Sequence, residues 1–299
     1  MKPGITFSQQ ELKWRQIEIA QALQFATELR LNVVRLAVYW DEIEKKPGKF
    51  NFSEIDTIVE HFSKHNVEIL FSLGMKAPRW PEYYVPEWVW EKNPILGNLI
   101  ENGDGYLKER LFMFLEKTYR RYNPYKNIKT WQIENEPLDL ASPRKLKISP
   151  KLLEEEINLI KKLDPRRKVL VSLWANEVIK NNNYQIASDL SDIVGFDLYL
   201  KRPIQYLKYF TRYTKPFDSE DKIKEIVRKI REDGKDFWIT ECQAEPWGNN
   251  FTLNDIERNF SYCVQFDPEV ILLWGFEFWL NEKLNGDSSY WERAKNILK

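Results

Sequence analysis

Apolar runs of strand length alternate with amphipathic helical stretches along the whole chain. The pattern predicts strands at residues 5–8, 32–39, 68–73, 128–133, 168–173, 192–199, 236–240 and 270–276. It predicts helices at residues 12–29, 53–64, 107–122, 150–163, 184–190, 221–233, 253–266 and 289–298. A series of strands that are each followed by a helix is typical of a closed parallel barrel. We therefore expect the α/β class and a single (β/α)8 TIM barrel.

The main alternative is a doubly wound open sheet. Such a sheet would carry a glycine-rich phosphate-binding turn after its first strand, and the sequence has no such turn there. The 299 residues suit one barrel, which needs roughly 250 residues. Because no Pro, Gly and Ser-rich linker divides the chain, we expect residues 1–299 to form a single catalytic domain.

The charge balance and hydropathy argue against several partners. The 45 Lys and Arg residues equal the 45 Asp and Glu residues, so no basic excess points to nucleic acid. No stretch is long and apolar enough to predict a membrane span. No signal peptide opens the sequence, so we expect a cytoplasmic protein or a secreted one whose signal has been removed. A monomer or a simple homo-oligomer fits these features equally well.

Histidine and cysteine chemistry is not expected to serve this protein. The two histidines, His61 and His65, are four residues apart on a predicted helix, where a solvated helix face is the simpler interpretation. Cys242 and Cys263 are too few for a zinc site or a disulfide framework, and we interpret them as free thiols. We therefore expect no cofactor and no metal, and acid–base chemistry that rests on carboxyl groups.

Two carboxylates follow two separate predicted strands. Residues 131–137 end an apolar run on Glu136, and residues 237–241 end another on Glu241, which lies 241 − 136 = 105 residues later. Two carboxylates at the ends of barrel strands are what retaining glycoside hydrolysis needs. One protonates the leaving oxygen and the other attacks the anomeric carbon.

These residues resemble the signature of clan A glycoside hydrolases. Asn135-Glu136-Pro137 is similar to the Asn-Glu-Pro motif of that clan, and residues 239–241 resemble its nucleophile strand. Residues 33–40, 192–199 and 274–279 resemble its second, sixth and eighth strands, and family five is the nearest likeness. The resemblance implies Glu136 as general acid/base and Glu241 as nucleophile. Retention further predicts carboxyl groups about 5–5.5 Å apart, against about 6.5–9.5 Å for inversion.

The resemblance also implies roles for neighbouring residues. Arg35 and Tyr199 would hold Glu241 ionised, Asn135 would bind the sugar 2-hydroxyl, and Trp279 would form the apolar floor under the sugar. A structural salt bridge is the competing interpretation for Arg35, and ordinary packing competes for Tyr199 and Trp279. We expect further substrate contacts from three more tryptophans, Trp40, Trp80 and Trp247.

Three other glutamates lie near the predicted site, and each has more than one possible role. Glu134 lies two residues before Glu136, so in a strand it would face the same way and have a structural or pKa-tuning role. Glu245 would be the alternative nucleophile if the seventh strand ran beyond Thr240. Glu277 would be an in-strand carboxylate that contacts substrate or forms a buried ion pair. Several clan A families place histidines near the site, and here Lys76, Arg79 or Tyr199 could cover those roles.

Aromatic content points to a carbohydrate cleft. The chain has 12 Trp, 14 Tyr and 17 Phe, and the predicted loop from residue 74 to about 105 is rich in Trp, Tyr and Pro. We therefore expect a carbohydrate substrate and favour an endo-β-glycanase. The alternatives are a non-catalytic carbohydrate-binding barrel, an exo-β-glycosidase or transglycosylase with the same residues, and a metal-dependent lyase or isomerase. Sugar identity, linkage and chain length stay open.

Overall fold

A computed structural model gives the fold of the protein. It describes residues 1–95, 97–101, 105–140, 143–176, 178, 183–204, 207–213, 220–247 and 251–299, with the backbone alone at 202–204 and 207–213. Residues 96 and 102–104 of the predicted aromatic loop lie outside this description.

The strands of the described residues match the predicted barrel. They are β1 (Lys2–Thr6), β2 (Val33–Ala37), β3 (Glu68–Leu73), β4 (Leu99–Ile100), β5 (Ile128–Ile133), β6 (Lys147–Ile148), β7 (Lys168–Trp174), β8 (Ile193–Leu198), β9 (Lys201–Ile204), β10 (Leu207–Tyr213), β11 (Asp236–Gln243) and β12 (Val270–Trp274). A closed barrel forms in the order β1-β12-β11-β8-β7-β5-β3-β2. The prediction of a (β/α)8 barrel is therefore confirmed. Two separate pairs, β4 with β6 and β9 with β10, lie outside the barrel sheet.

Helices lie between the barrel strands and close the chain. They are α1 (Gln9–Trp14), α2 (Ile19–Glu28), α3 (Trp40–Ile43), α4 (Ser53–Lys64), α5 (Glu87–Lys92), α6 (Gly105–Tyr122), α7 (Pro150–Leu163), α8 (Asn183–Leu190), α9 (Glu220–Glu232), α10 (Leu253–Val264), α11 (Phe276–Leu284) and α12 (Ser289–Ile297). Within the described part of the chain, none of them has the length and apolar character to span a membrane.

Burial explains why the strands read as unbroken apolar runs. Every residue of β2, β8 and β12 is buried. Strands of a parallel barrel are covered by side chains on the inside and by helices on the outside, so both faces select apolar residues. Polar residues within such strands, for example Arg35 in β2, are therefore exceptions that call for a specific partner.

The predicted bounds of two elements were wrong because each prediction continued through a turn. The predicted helix 12–29 is two helices, α1 and α2, because Gln16 adopts a left-handed φ of 57° that no helix continues through. The predicted strand 270–276 ends at Trp274, because Gly275 has a φ of 149° and α11 starts immediately after it. Hydrophobic spacing continues across both turns, so the pattern alone does not reveal them.

Two compact parts contribute the barrel strands. The first contains Met1–Arg35 and Gly195–Lys299, and the second contains Leu36–Leu173. Glu241 belongs to the first part and Glu136 to the second.

Candidate active site

Glu241 projects from an irregular position of β11. The pairing of β11 with β12 shifts register between Ile239 and Cys242, so one strand carries an extra residue there. A bulge of this kind re-aims the side chains beside it and is common next to active sites. The strand also runs on to Gln243, so the predicted end at Thr240 was wrong, but Glu245 still lies two residues past its end. Glu241 is thus inside the strand, with 4% of its surface exposed.

Arg35 binds one oxygen of Glu241. Its guanidinium Nη2 lies 2.6 Å from Glu241 Oε1, and its Nε donates to Thr6 Oγ1 at 3.0 Å. The guanidinium also lies over the Trp274 ring at 5.5 Å. Because Arg35 is fully buried, these contacts fix its position. A buried cation therefore faces the carboxylate predicted as the nucleophile.

Tyr199 binds the other oxygen. Its hydroxyl donates a short hydrogen bond to Glu241 Oε2. Burial, followed by the charge and the hydrogen bond of Glu241, holds the pKa of Tyr199 well above its usual value, so the hydroxyl keeps its proton. Arg35 and Tyr199 together orient both oxygens of Glu241. The structure thus brings Arg35, Tyr199 and Glu241 into contact.

Glu136 stands on a turn that follows β5. The strand ends at Ile133, and Glu134 and Glu136 adopt left-handed φ values of 60° and 45°. The prediction that both side chains follow strand alternation is therefore wrong. Non-glycine residues occupy this region of backbone space infrequently and often at functional sites.

The backbone of Glu136 is held on both sides. Its N–H donates to Ser172 Oγ at 3.2 Å, and its carbonyl accepts from Lys76 Nζ at 2.7 Å. The side chain of Glu136 is only partly buried, whereas the neighbouring Asn135 is buried and lies within 3.4 Å of Ser172 Oγ and 3.3 Å of Gln132 Nε2. The backbone of the turn is thus anchored by Lys76 and Ser172, while the Glu136 side chain keeps some exposed surface.

The predicted aromatic contacts divide into exposed and buried residues. Trp80 is 58% exposed and Trp247 is 45% exposed, and the Trp247 ring packs edge-on against Tyr199 with centroids 5.3 Å apart. Trp40 and Trp279 are fully buried. Trp40 donates to Glu44 Oε2 at 2.9 Å, and Trp279 donates to the Ala244 carbonyl at 2.7 Å. Neither buried ring offers a face to a sugar in this structure, so the expectation that Trp40 and Trp279 contact substrate does not fit their burial.

The interpretation of Glu277 as an in-strand carboxylate was wrong. It lies in the first turn of α11, is fully buried, and accepts the backbone N–H of Ser8 at 2.6 Å. The cause is the turn at Gly275. A Cβ at that position would come within 2.8 Å of the Ala244 carbonyl oxygen, so the tight turn from β12 into α11 depends on glycine.

Sequence reasoning missed two hydroxyl residues that support the site. Thr6 binds Arg35, and Ser172 binds the backbone of Glu136. Both are polar residues near the ends of apolar strands, and this is the signal that could have found them. Among the described residues, no cluster of three or more His, Cys, Asp or Glu side chains is arranged to hold a metal.

Comparison with known proteins identifies the family. Residues 2–265 match the family described as cellulase, glycosyl hydrolase family 5. The chain belongs to glycosyl hydrolase family 5. The matched region includes Arg35, Asn135, Glu136, Tyr199 and Glu241. The resemblance to clan A enzymes is thereby confirmed.

Curated relatives of this family 5 chain match over a limited region. β-Galactosidase BgaA of Clostridium cellulovorans is 29% identical over 128 residues, covering 38% of this chain and 18% of that protein. β-Galactosidase LacA of Lactobacillus acidophilus is 29% identical over 113 residues, covering 32% of this chain and 16% of that protein. The match therefore spans less than a fifth of the length of either relative.

Solved structures share the fold of the family 5 chain over most of its length. An exo-β-1,4-mannosidase from Opitutaceae bacterium strain TAV5 has a TM-score of 0.66 and 15% identity, covering 92% of this chain and 51% of that chain. An intracellular xylanase from Thermoanaerobacterium saccharolyticum has a TM-score of 0.63 and 16% identity, covering 92% and 86%. At these identities the likeness establishes the barrel and nothing finer.

Proposed function

We propose that this family 5 chain is a retaining hydrolase of β-glycosidic bonds, with Glu241 as nucleophile and Glu136 as general acid/base. The observation that carries the proposal is the carboxylate of Glu241, whose two oxygens are bound by the Arg35 guanidinium and the Tyr199 hydroxyl. A nucleophile must be ionised and aimed, and a cation on one oxygen with a hydroxyl donor on the other favours both conditions.

The proposed reaction has two displacements. In the first, Glu136 gives its proton to the leaving oxygen while Glu241 bonds to the anomeric carbon, and the glycosidic bond breaks. In the second, ionised Glu136 takes a proton from water, whose oxygen attacks the anomeric carbon and releases Glu241. Glu136 follows β5 and Glu241 lies near the carboxyl end of β11, and active sites of such barrels lie at the carboxyl ends of the strands. Asn135, directly before Glu136, is proposed to bind the sugar 2-hydroxyl.

For the substrate we propose an uncharged β-linked oligo- or polysaccharide, and we favour endo-acting cleavage. The exposed rings of Trp80 and Trp247 provide flat apolar surfaces on which a sugar face can stack. The curated relatives are named β-galactosidases, and structural neighbours are named as a mannosidase and a xylanase. An exo-β-glycosidase is the second candidate, favoured by the galactosidase relatives.

The test is reducing-sugar release from β-glucans, mannans, xylans and aryl β-glycosides, including galactosides. We expect wild-type activity on at least one polymer, with products whose average chain length falls early in the reaction. Early release of single sugars from chain ends would replace the endo-acting proposal by the exo-acting one. Binding of a sugar without release of reducing ends from any substrate would contradict hydrolysis.

Replacing Trp247 by alanine is expected to weaken substrate binding. The exposed ring packs on Tyr199, next to the proposed nucleophile, and loss of one stacking surface should raise KM about tenfold. We expect kcat to change less than KM, because Trp247 contacts neither oxygen of Glu241 in the described structure. Steady-state kinetics on the best substrate measures both constants.

The matched control is Trp14→Ala. Trp14 is 52% exposed at the end of α1, so it is a tryptophan of similar exposure that the proposal leaves outside the site. Its replacement should leave KM unchanged. Equal KM values for Trp247→Ala and the wild type would remove Trp247 from the proposed binding surface.

A further inference from the structure

A second pair of glutamates lies fully buried behind the turn that carries Glu136. Glu134 leaves the end of β5, and Glu156 projects from α7. Both side chains have no exposed surface. The proposed mechanism uses neither of them, and two fully buried carboxyl groups require an explanation because an unpaired buried charge is strongly unfavourable.

Glu134 is bound by the loop that follows β3. Its Oε1 accepts the N–H of Met75 at 2.8 Å, and its Oε2 accepts the N–H of Lys76 at 2.5 Å. A Cβ on Gly74 would come within 2.3 Å of the Glu134 carboxyl carbon, so the carboxylate occupies the space that a side chain at position 74 would need. Two N–H donors on one carboxylate are the arrangement that an ionised group requires.

Glu156 has a different environment. No N–H or O–H group of the described residues donates to either of its oxygens. Burial, and then the charge of Glu134 and the hydrogen bond to it, raise the pKa of Glu156 well above its usual value. Burial also raises the pKa of Glu134, to about 7, although the two N–H groups and Lys76 oppose that rise. Two ionised carboxylates cannot hydrogen-bond to each other, so the contact needs a proton, and Glu156 is the better place for it.

Lys76 connects this pair to Glu136. Its backbone N–H binds Glu134, its ammonium donates to the Glu136 carbonyl at 2.7 Å, and the ammonium also lies 3.1 Å from Glu82 Oε2. Lys76 is fully buried. Burial lowers its pKa, but the charges of Glu82, Glu136 and Asp139 outweigh burial and raise the pKa overall. Lys76 therefore stays charged while it holds the backbone of the proposed acid/base.

Other titratable groups surround these residues. They come from the loop after β3, the turn after β5 and helix α7, and are Glu82, Tyr83, Glu136, Asp139 and Glu155. Most of them are acidic, with Lys76 as the cation among the groups that face the pair in the described structure. A proton on Glu156 removes one negative charge from this cluster, in which the Lys76 ammonium is already paired with Glu82.

We propose that Glu156 carries a proton that it donates to ionised Glu134, and that Glu134, Glu156 and Lys76 are positioning residues for the acid/base carboxyl of Glu136. Glu134 holds the Gly74-Met75-Lys76 turn, and this turn places the Lys76 ammonium on the Glu136 carbonyl. The Glu136 turn, with its left-handed φ, is thereby fixed from one side by Lys76 and from the other by Ser172. This inference rests on the proposed role of Glu136.

The proton can be detected without substrate. Infrared difference spectra of the full chain at mildly alkaline pH should show the C=O band of a buried protonated carboxyl group in the wild type. The band should be absent in Glu156→Gln and present in Glu155→Gln. Glu155 is the matched control, because it neighbours Glu156 on α7 but is partly exposed and paired with Lys108. Persistence of the band in Glu156→Gln would overturn the assignment of the proton.

Kinetics on substrates with different leaving groups can distinguish a positioning role from a general loss of structure. A good leaving group departs without an acid, whereas a poor one needs the proton of Glu136. We expect Lys76→Met and Glu134→Gln to lower kcat/KM at least about tenfold more for a poor leaving group than for a good one. Glu156→Gln should lose less than Glu134→Gln, because its amide N–H still donates to Glu134. Equal losses for good and poor leaving groups would reduce these residues to structural ones.

Two further readings complete the test. Removal of the Lys76 charge stabilises the protonated form of a neighbouring acid, so the alkaline limb of the kcat/KM profile should move to higher pH in Lys76→Met and stay in place in Glu155→Gln. Glu136→Gln separates the two proposals. If Glu136→Gln shows a selective loss with poor leaving groups and Lys76→Met does not, the positioning inference fails alone. If Glu136→Gln shows no such selectivity, Glu136 is not the general acid, and the proposed function is contradicted together with the inference that rests on it.

Discussion

Replacement of Glu241 by glutamine is expected to lower kcat by at least about ten-thousandfold on every substrate, whatever its leaving group. The amide keeps the size of the side chain but supplies no carboxylate to form the covalent intermediate. Both oxygens of Glu241 are bound, by Arg35 and Tyr199, so the variant loses a carboxylate that these two partners hold in place. Initial rates with an aryl β-glycoside and with the best polysaccharide measure this loss.

The control for this prediction is Glu245→Gln. Glu245 lies two residues beyond the end of β11 and was the alternative nucleophile in the sequence. It should retain most of the activity, whereas a loss confined to Glu245→Gln would transfer the role. Circular dichroism must accompany both variants, since Glu241→Gln leaves the buried Arg35 without its anionic partner.

A mechanism-based 2-fluoro glycoside offers direct evidence for the intermediate. The fluorine slows both displacements, and a good leaving group restores the first, so a glycosyl-enzyme accumulates. Mass spectrometry of peptides should place the label on Glu241 in the wild type. A label on Glu245 would contradict the assignment of Glu241 as nucleophile. Inactivation of the enzyme without a covalent label would contradict the proposed double displacement.

The barrel was predictable from the sequence because its strands are covered on both faces. Apolar runs in β3 and β5, and amphipathic patterns in α4 and α7, gave bounds that match the structure. Regular burial produces a regular spacing of hydrophobic residues, so elements that are buried regularly can be predicted from the sequence. Turns that contain a left-handed residue leave no such spacing, and this explains why the break at Gln16 was not predicted.

The sequence selects the residues of the proposed site, but it does not predict their geometry. Glu136 and Glu241 could be selected because each carboxylate ends an apolar run. Their actual orientations depend on a left-handed turn and on a β-bulge, respectively. Neither feature follows from alternation, since each is a departure from the regular strand that alternation assumes.

Contacts between distant positions lay beyond the sequence. Glu156 reads as one of three consecutive glutamates on an amphipathic helix, and nothing local distinguishes it from Glu154 or Glu155. Only the packing of α7 against the end of β5 brings it to Glu134. Trp279 shows the opposite error, because an aromatic residue near a strand end looked like a sugar platform but fills the core.

Replacement of Glu136 by alanine is expected to give a loss that depends on the leaving group. With a poor leaving group the first displacement lacks its acid, and kcat/KM should fall about 10²- to 10⁴-fold. With a very good leaving group kcat/KM should be nearly unchanged, while kcat falls because hydrolysis of the glycosyl-enzyme still lacks its base. Parallel kinetics on a series of aryl β-glycosides gives both constants.

Addition of azide to Glu136→Ala and to Glu241→Ala tests the roles assigned to the two carboxylates. Azide needs no general base, so in Glu136→Ala it should attack the accumulated glycosyl-enzyme, raise kcat, and give a β-glycosyl azide. In Glu241→Ala the vacated space lies on the opposite face of the sugar, and azide entering there should give the α-glycosyl azide. NMR of the products distinguishes the two anomers. Formation of the β-azide by Glu241→Ala, or no azide effect in Glu136→Ala, would show that the two carboxylates have been assigned the wrong roles.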